Sequence, residues 1–323
     1  MPTPTLRTQA TLALLSAMIG ALPSIAAAQL STNGFFRVAE EERGSELRLD
    51  LTSSRDMSHD YSSTSFSLSP SELSGLTRAQ LESGGTAPLH FTLTRDAGVF
   101  TFEGELRGGR GSGTYSFASD AGYADALVKR GYPRPVDTEQ LRLALGDVSL
   151  AFVDELAKQG YQRSSLADLA RAGQHGVDID YARDMREAGY TFGELRTVTR
   201  FRDHGVDPDY IAELKKAGYA NLDADVLIRF RDHGVDGDYI GDLAEAGYAH
   251  QSTDDLLRAR DHGVSGSFIK GFKAAGYTNL TLPELVRLHD HGVTGGFARR
   301  ERERGGRVPS AEDLVHARDR GER

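Results

Sequence analysis

The chain has 323 residues, 47 acidic against 38 basic side chains for a formal charge of −9, and no cysteine. Thiolate catalysis, disulfide stapling and cysteine-ligated metal are therefore excluded, and the acid excess argues against phosphate backbones and anionic membranes as partners. The length suits one or two domains, and a change of composition near residue 119 favours two.

The first residues have the pattern of a targeting segment. Met1 to Arg7 carries one positive charge, an apolar run extends from Ala10 to about Ile25, and Ala26-Ala27-Ala28 supplies a small-residue cleavage site before Gln29. A membrane anchor needs about 20 uninterrupted apolar residues, whereas Ser16, Pro23 and Ser24 break a shorter run. Residues 1–28 are expected to be a signal peptide, no later stretch is expected to span a bilayer, and the mature chain is expected in the periplasm or outside the cell. Removing Arg7 with the leader takes the charge from −9 to −10.

Residues 29–118 suggest a small antiparallel β module. Phe35-Phe36-Arg37-Val38 and Glu46 to Leu51 alternate apolar and polar side chains with the strand period, as do Phe66/Leu68, Leu89/Phe91/Leu93 and Val99 to Gly104. Ser53 to Ser65 lacks periodicity and is expected to be a loop. Pro70 to Leu73 and Leu76 to Leu81 suit one or two short helical turns, and Asp96-Ala97-Gly98 a turn. Gly108 to Gly113 lacks the Gly-Lys-Ser/Thr ending of a phosphate loop. It lies between two period-two segments, which predicts a β-turn. The sheet's apolar face is expected to be covered by the short helical segment or by the first of the repeats that follow.

From residue 119 the sequence repeats itself. Arg202-Asp203-His204-Gly205-Val206 recurs at Arg231 to Val235, at Arg260 to Val264 and, as His289-Asp290-His291-Gly292-Val293, once more. The histidines at 175, 204, 233, 262 and 291 set a period of 29 residues, the mark of a stacked repeat array. In the unit from Val206, Asp207-Pro208 opens a first helix as N-cap and N1. Tyr210, Ile211 and Leu214 form its apolar face, and Gly218 with Tyr219 stops it. A second helix starts near Leu222-Asp223 and ends at His233-Gly234. Its start is clearest at Thr281 and Glu284, a capping box stapled by Leu280 and Leu285. Helices of about ten residues are too short to persist alone in water, so they are expected to stack. The register covers seven two-helix units over residues 119–321, the last degenerate and polar as an end cap requires. The fold class is α+β, an antiparallel β module followed by an α-solenoid.

Several features look chemical. Equivalent histidines in stacked units lie about 8 to 10 Å apart, too far to converge on one ion. Their place in a last helical turn suits the helix dipole, with His289 beside His291 the one local pair that keeps a metal site open. Asp178/Asp180, Asp207/Asp209 and Asp236/Asp238 lack calcium-loop spacing and suit N-caps. Ser267-Phe268-Ile269-Lys270 matches S-x-x-K without its companion motifs. Among residues breaking the repeat, Thr197, Thr199 and His250 stand out and are scattered. The expected contact positions for a partner are the polar residues of the second helices: Arg202, Asp203, Arg231, Asp232, Arg260, Asp261, Arg287 and Asp290. Surface salt links, worth about 0 to 1 kcal/mol each, account for the same residues equally well. No catalytic residue, cofactor or metal ligand is expected.

The units Val206 to Leu214 and Leu227 to Val235 resemble short helical repeats of bacterial exported proteins and of extracytoplasmic regions in some membrane metallopeptidases of the beta-lactam-sensing regulator type. Asp96 to Phe117 is similar to the β region that often precedes such repeats. The resemblance spans nearly all of the mature chain, but the HExxH helix and membrane spans are missing, so no catalytic residue carries over. It implies a sensor or interaction region. The expectation is a non-enzymatic binder of protein or peptide in the cell envelope, with an envelope glycan or small-ligand binder as the alternative.

Overall fold

The computed structural model describes residues 32–41, 46–53, 63–191 and 193–321; the leader lies outside them. Seven strands form one antiparallel sheet: β1 (Asn33–Glu40), β2 (Leu47–Ser53), β3 (Ser63–Leu68), β4 (Leu73–Ser74), β5 (Thr86–Arg95), β6 (Gly98–Arg107) and β7 (Arg110–Ser119). Their order is β3-β2-β1-β7-β6-β5-β4. The two edge strands are consecutive in the chain, linked only by Ser69 and one 3₁₀ turn (Pro70–Glu72), so the sheet curls until its edges approach. Strict alternation sends Phe36, Phe91, Phe100, Phe102 and Tyr115 to one face, where the rings of Phe91 and Phe102 stack at 4.3 Å.

Two sequence expectations are corrected here. Ser63 to Ser65 belong to β3, paired with Thr52 to Asp50, rather than to a loop; residues 54–62 lie outside the described set. The turn between β6 and β7 is Gly108-Gly109 alone, with φ of 57° and 79°, the two-residue hairpin in which both positions need positive φ. Gly111 and Gly113 continue into β7. Gly111 faces the core, where a Cβ would stand 2.5 Å from Leu89 and 2.6 Å from Val38, and Gly104 meets Gly113 across the ladder too closely for any side chain.

Fourteen helices follow: α2 (Ala121–Lys129), α3 (Asp137–Leu145), α4 (Leu150–Lys158), α5 (Leu166–Gln174), α6 (Ile179–Glu187), α7 (Leu195–Asp203), α8 (Pro208–Lys216), α9 (Ala224–His233), α10 (Gly237–Glu245), α11 (Thr253–Asp261), α12 (Gly266–Ala274), α13 (Leu282–Asp290), α14 (Gly295–Gly305) and α15 (Ala311–Asp319). An earlier five-residue helix, α1 (Arg78–Glu82), adds Leu81 to the sheet's core. The repeat pattern explains the boundaries. Asp178, Asp207 and Asp236 accept the amides of Tyr181, Tyr210 and Tyr239 at 2.7 to 2.8 Å, and Thr281 with Glu284 makes the capping box. First helices stack on first helices (α4 on α6, α8 on α10, α10 on α12) and second helices on second (α5 on α7, α9 on α11, α11 on α13). This is a two-layered repeat array. Among the described residues, no helix is long and apolar enough to cross a membrane.

Both candidates for covering the sheet contribute. Leu81 of α1 enters the core, and α3 packs against β6 and β7. Buried Gln140 of α3 donates to the carbonyls of Ala97 (2.7 Å) and Asp120 (2.5 Å). Asp96, in the β5–β6 turn, accepts the Leu150 amide at the start of α4, at 2.8 Å. The sheet and the array share one continuous apolar core.

Candidate functional site

The recurrent polar residues bind one another between units. Tyr123, Tyr181, Tyr210 and Tyr239 donate their hydroxyls to the carbonyls of Val148, Val206, Val235 and Val264, 25 residues ahead, at 2.6 to 3.0 Å. Burial pushes these phenols above their ordinary range, Tyr239 to about 12, so they stay protonated donors. A second series crosses 32 residues, Tyr190 to Leu222 (2.9 Å), Tyr219 to Gln251 (2.6 Å) and Tyr248 to Leu280. Each buried bond contributes about 0.5 to 1.5 kcal/mol.

The histidines form a ladder with the aspartates of the next unit. His175 meets Asp203, His204 meets Asp232 at 2.7 Å, His233 meets Asp261 at 2.5 Å, His262 meets Asp290 at 2.8 Å and His291 meets Asp319 at 2.9 Å. The guanidiniums of Arg202, Arg231 and Arg260 lie 4.8, 4.9 and 4.8 Å from the ring centres of Tyr181, Tyr210 and Tyr239, cation–π contacts worth about 0.5 to 1 kcal/mol at exposed sites. Arg287 is not the fourth member of that series. His289 holds its place, edge-on to Phe268 at 5.0 Å, while Arg287 belongs with Arg200 and Arg229, which reach acidic residues 25 positions ahead; its own partner is Glu312 at 2.6 Å. All eight residues expected to contact a partner are thus engaged within the chain. Among the described residues, no three His, Asp or Glu side chains are placed to hold a metal ion.

A different set converges. A cleft of about 550 Å³ lies between β3 and the loops that end α3 and α5. Thr64 to Leu68 form one wall and Gly146, Asp147, Phe152, Gly173 and Gln174 the other. At its margin Arg95 bridges Glu72 (2.8 Å) and Asp147 (3.3 Å). The Asp147 side chain is 60% exposed, yet partial desolvation by its surroundings raises its carboxyl above the usual range; Arg95 opposes the shift, and Glu72 and Asp96 add to it.

Gly146, Asp147, Gly173 and Gln174 of that second wall break the repeat, and Phe152 takes the minority residue at its position. Counting by 29, Gly146 stands where later units have His, Asp147 where six units have Gly, Phe152 where four have Tyr and two have Phe, Gly173 where four have Arg and Gln174 where later units have Asp. Asp147 keeps the left-handed backbone of the glycines it replaces, at φ 48°. Laying the first two units over the others was the available signal. Thr197, Thr199 and His250 drew attention instead, and Thr199 is a buried residue whose hydroxyl bonds back to Leu195 of its own helix at 2.9 Å.

The outer face of the sheet holds a second concavity of about 430 Å³. Ala39 has Arg48 directly opposite on one side and Arg110 on the other, Arg37 stands two residues along β1, and Phe35 beyond it is 53% exposed. Arg48 pairs with Asp50 at 3.0 Å, whereas Arg37 and Arg110 have no hydrogen bond or ion pair among the described residues. Compared with known proteins, the chain matches no family model and no curated sequence.

Proposed function

We propose that the chain is an exported, non-enzymatic interaction protein of the cell envelope that binds protein or peptide segments. The observation that carries the reading is the unit-to-unit pairing of the recurrent Tyr, His, Asp and Arg side chains. Residues tied to neighbours in this way hold a repeated surface in shape, and extended repeat surfaces serve as binding platforms. The test is retention of envelope proteins by the immobilised mature chain, compared with a variant whose exposed charged positions are scrambled. Retention of a defined partner by the native surface alone is expected; repeated failure to exceed the control overturns the reading.

The outer sheet face favours a second reading, an acidic glycan binder. Arg37, Arg48 and Arg110 gather on three adjacent strands with one carboxylate, Asp50, which stands opposite Arg37 and pairs with Arg48. An exposed ring between Thr52 and Thr114 adds a stacking surface for a sugar. Co-sedimentation with purified peptidoglycan that weakens at least tenfold in the Arg37→Ala/Arg110→Ala double variant is expected on this reading, and unchanged sedimentation removes it.

A further inference from the structure

We infer that the cleft beside β3 receives an extended, basic segment of a partner protein, which adds as an eighth strand to the sheet. The inference rests on the interaction reading above and names its site. Five consecutive residues, Thr64 to Leu68, line the cleft. Successive side chains of a strand point to opposite faces, so a cavity that touches all five runs along the strand's edge. β3 is the last strand of the sheet and pairs only with β2 among the described residues. Its outer N–H and C=O groups are the template that strand addition uses.

The facing wall departs from the repeat. Where later units carry His and Arg, Gly146 and Gly173 bring the ends of α3 and α5 backbone to backbone, so closely that a Cβ on either would meet the other helix's main chain. Phe152, like Phe268 and Phe297, lacks the hydroxyl that Tyr123, Tyr181, Tyr210 and Tyr239 give to a valine carbonyl, so Val177, which also lines the cleft, goes without that bond. Asp147 holds a strained left-handed conformation where six sister units use glycine. Strain kept at one position of a repeat points to a role there. The sign of the partner follows from charge. Among the described residues, Glu72, Asp147, Asp178 and Asp180 line the cleft with one lining cation, Arg95, which Glu72 and Asp147 hold, and Arg183 lies 3.8 Å from Asp180, so the carboxylates still outnumber the cations. A Lys or Arg on an added strand finds excess carboxylate, and an acidic segment is repelled.

The experiment uses the full mature chain and fluorescence anisotropy with eight-residue peptides. One alternates Lys and Val, one alternates Glu and Val, and two carry N-methyl groups on alternate amides of the Lys peptide, in the two possible phases. The Lys peptide is expected to bind at least tenfold tighter than the Glu peptide, and one N-methylated phase to lose at least tenfold. Asp147→Asn keeps a residue that tolerates the left-handed backbone and removes the charge; it is expected to weaken the Lys peptide several-fold while leaving the circular dichroism unchanged. Equal binding of Lys and Glu peptides, indifference to both N-methyl phases, no effect of Asp147→Asn, or no binding at all overturns the inference. Photocrosslinking residues placed at Gln174 in the cleft and at Arg258 on α11 separate it from the broader reading. Capture of envelope proteins from Arg258 but not from Gln174 removes the cleft and leaves the interaction protein standing.

Discussion

Tyr248 and Tyr277 occupy the same place in successive units and end in different company. Tyr248 donates to the Leu280 carbonyl, whereas the Tyr277 hydroxyl is buried with no hydrogen-bond partner among the described residues. The position 32 residues on is Pro309, in a loop that follows a longer helix: α14 has eleven residues and stops at Gly306 (φ 66°), one residue beyond the register of its predecessors. Tyr248→Phe is therefore expected to cost about 1 kcal/mol in urea unfolding. Tyr277→Phe is expected to be neutral or stabilising, because it removes a hydroxyl buried without a bond. Equal losses at both positions would contradict this account. Glu155 offers a pH test. Hydrogen bonds from Arg183 and Gln159 hold its carboxyl down at about 2 from an ordinary 4.5. A depressed carboxylate contributes stability that is present above the unfolded value and is lost as pH falls through the folded one. Stability is expected to decline between about pH 4.5 and 2, and less steeply in Glu155→Gln, measured by urea midpoints across that range.

At the scale of elements, the stops of the second helices are uniform except for one. Asp147 ends α3 in the conformation that the other six units give to glycine. Its ion pair with Arg95 is mostly exposed on the Asp side and contributes little. Asp147→Gly is accordingly expected to raise stability by about 0.5 to 1 kcal/mol, read from the urea midpoint; a loss of that size would show that the ion pair outweighs the backbone strain. The helices themselves were legible in the sequence because their signals are local: an Asp cap, a Gly stop, an apolar face. The joints were not. A period of 29 says which residues are equivalent, whereas the contacts run at offsets of 25, 28 and 32, which depend on how the helices tilt and stack. For that reason Arg202 and Asp203 read as partner contacts or as salt links to each other, although one lies over Tyr181 and the other against His175. The cleft was further from view, since β3 and the α3 and α5 loops are distant in sequence and its serine-rich wall has a weak strand pattern.

At the scale of the molecule, each unit touches chiefly its neighbours, so whole units should be removable. Deleting residues 207–235, one period, places Asp261 at the distance from His204 that Asp232 held, and Gln251 at the distance from Tyr190 that Leu222 held. The shortened chain is expected to fold cooperatively, with a smaller urea m-value because less surface is exposed on unfolding. Loss of helical circular dichroism on deletion would mean that stability does not divide by unit.

The joints have a consequence for how such a chain can change. At the first rung the histidine and its aspartate are missing together, leaving Gly146 and Gln174, and the tyrosine and its arginine are missing together as Phe152 and Gly173. Farther along, Phe268 comes with His289, ring against ring. Only at the ends of the stack does one member change alone, Tyr123 standing with Ala144 and Phe297 keeping Arg318 over its ring, so within the array drift should proceed in couples, each inherited as one character written at two addresses.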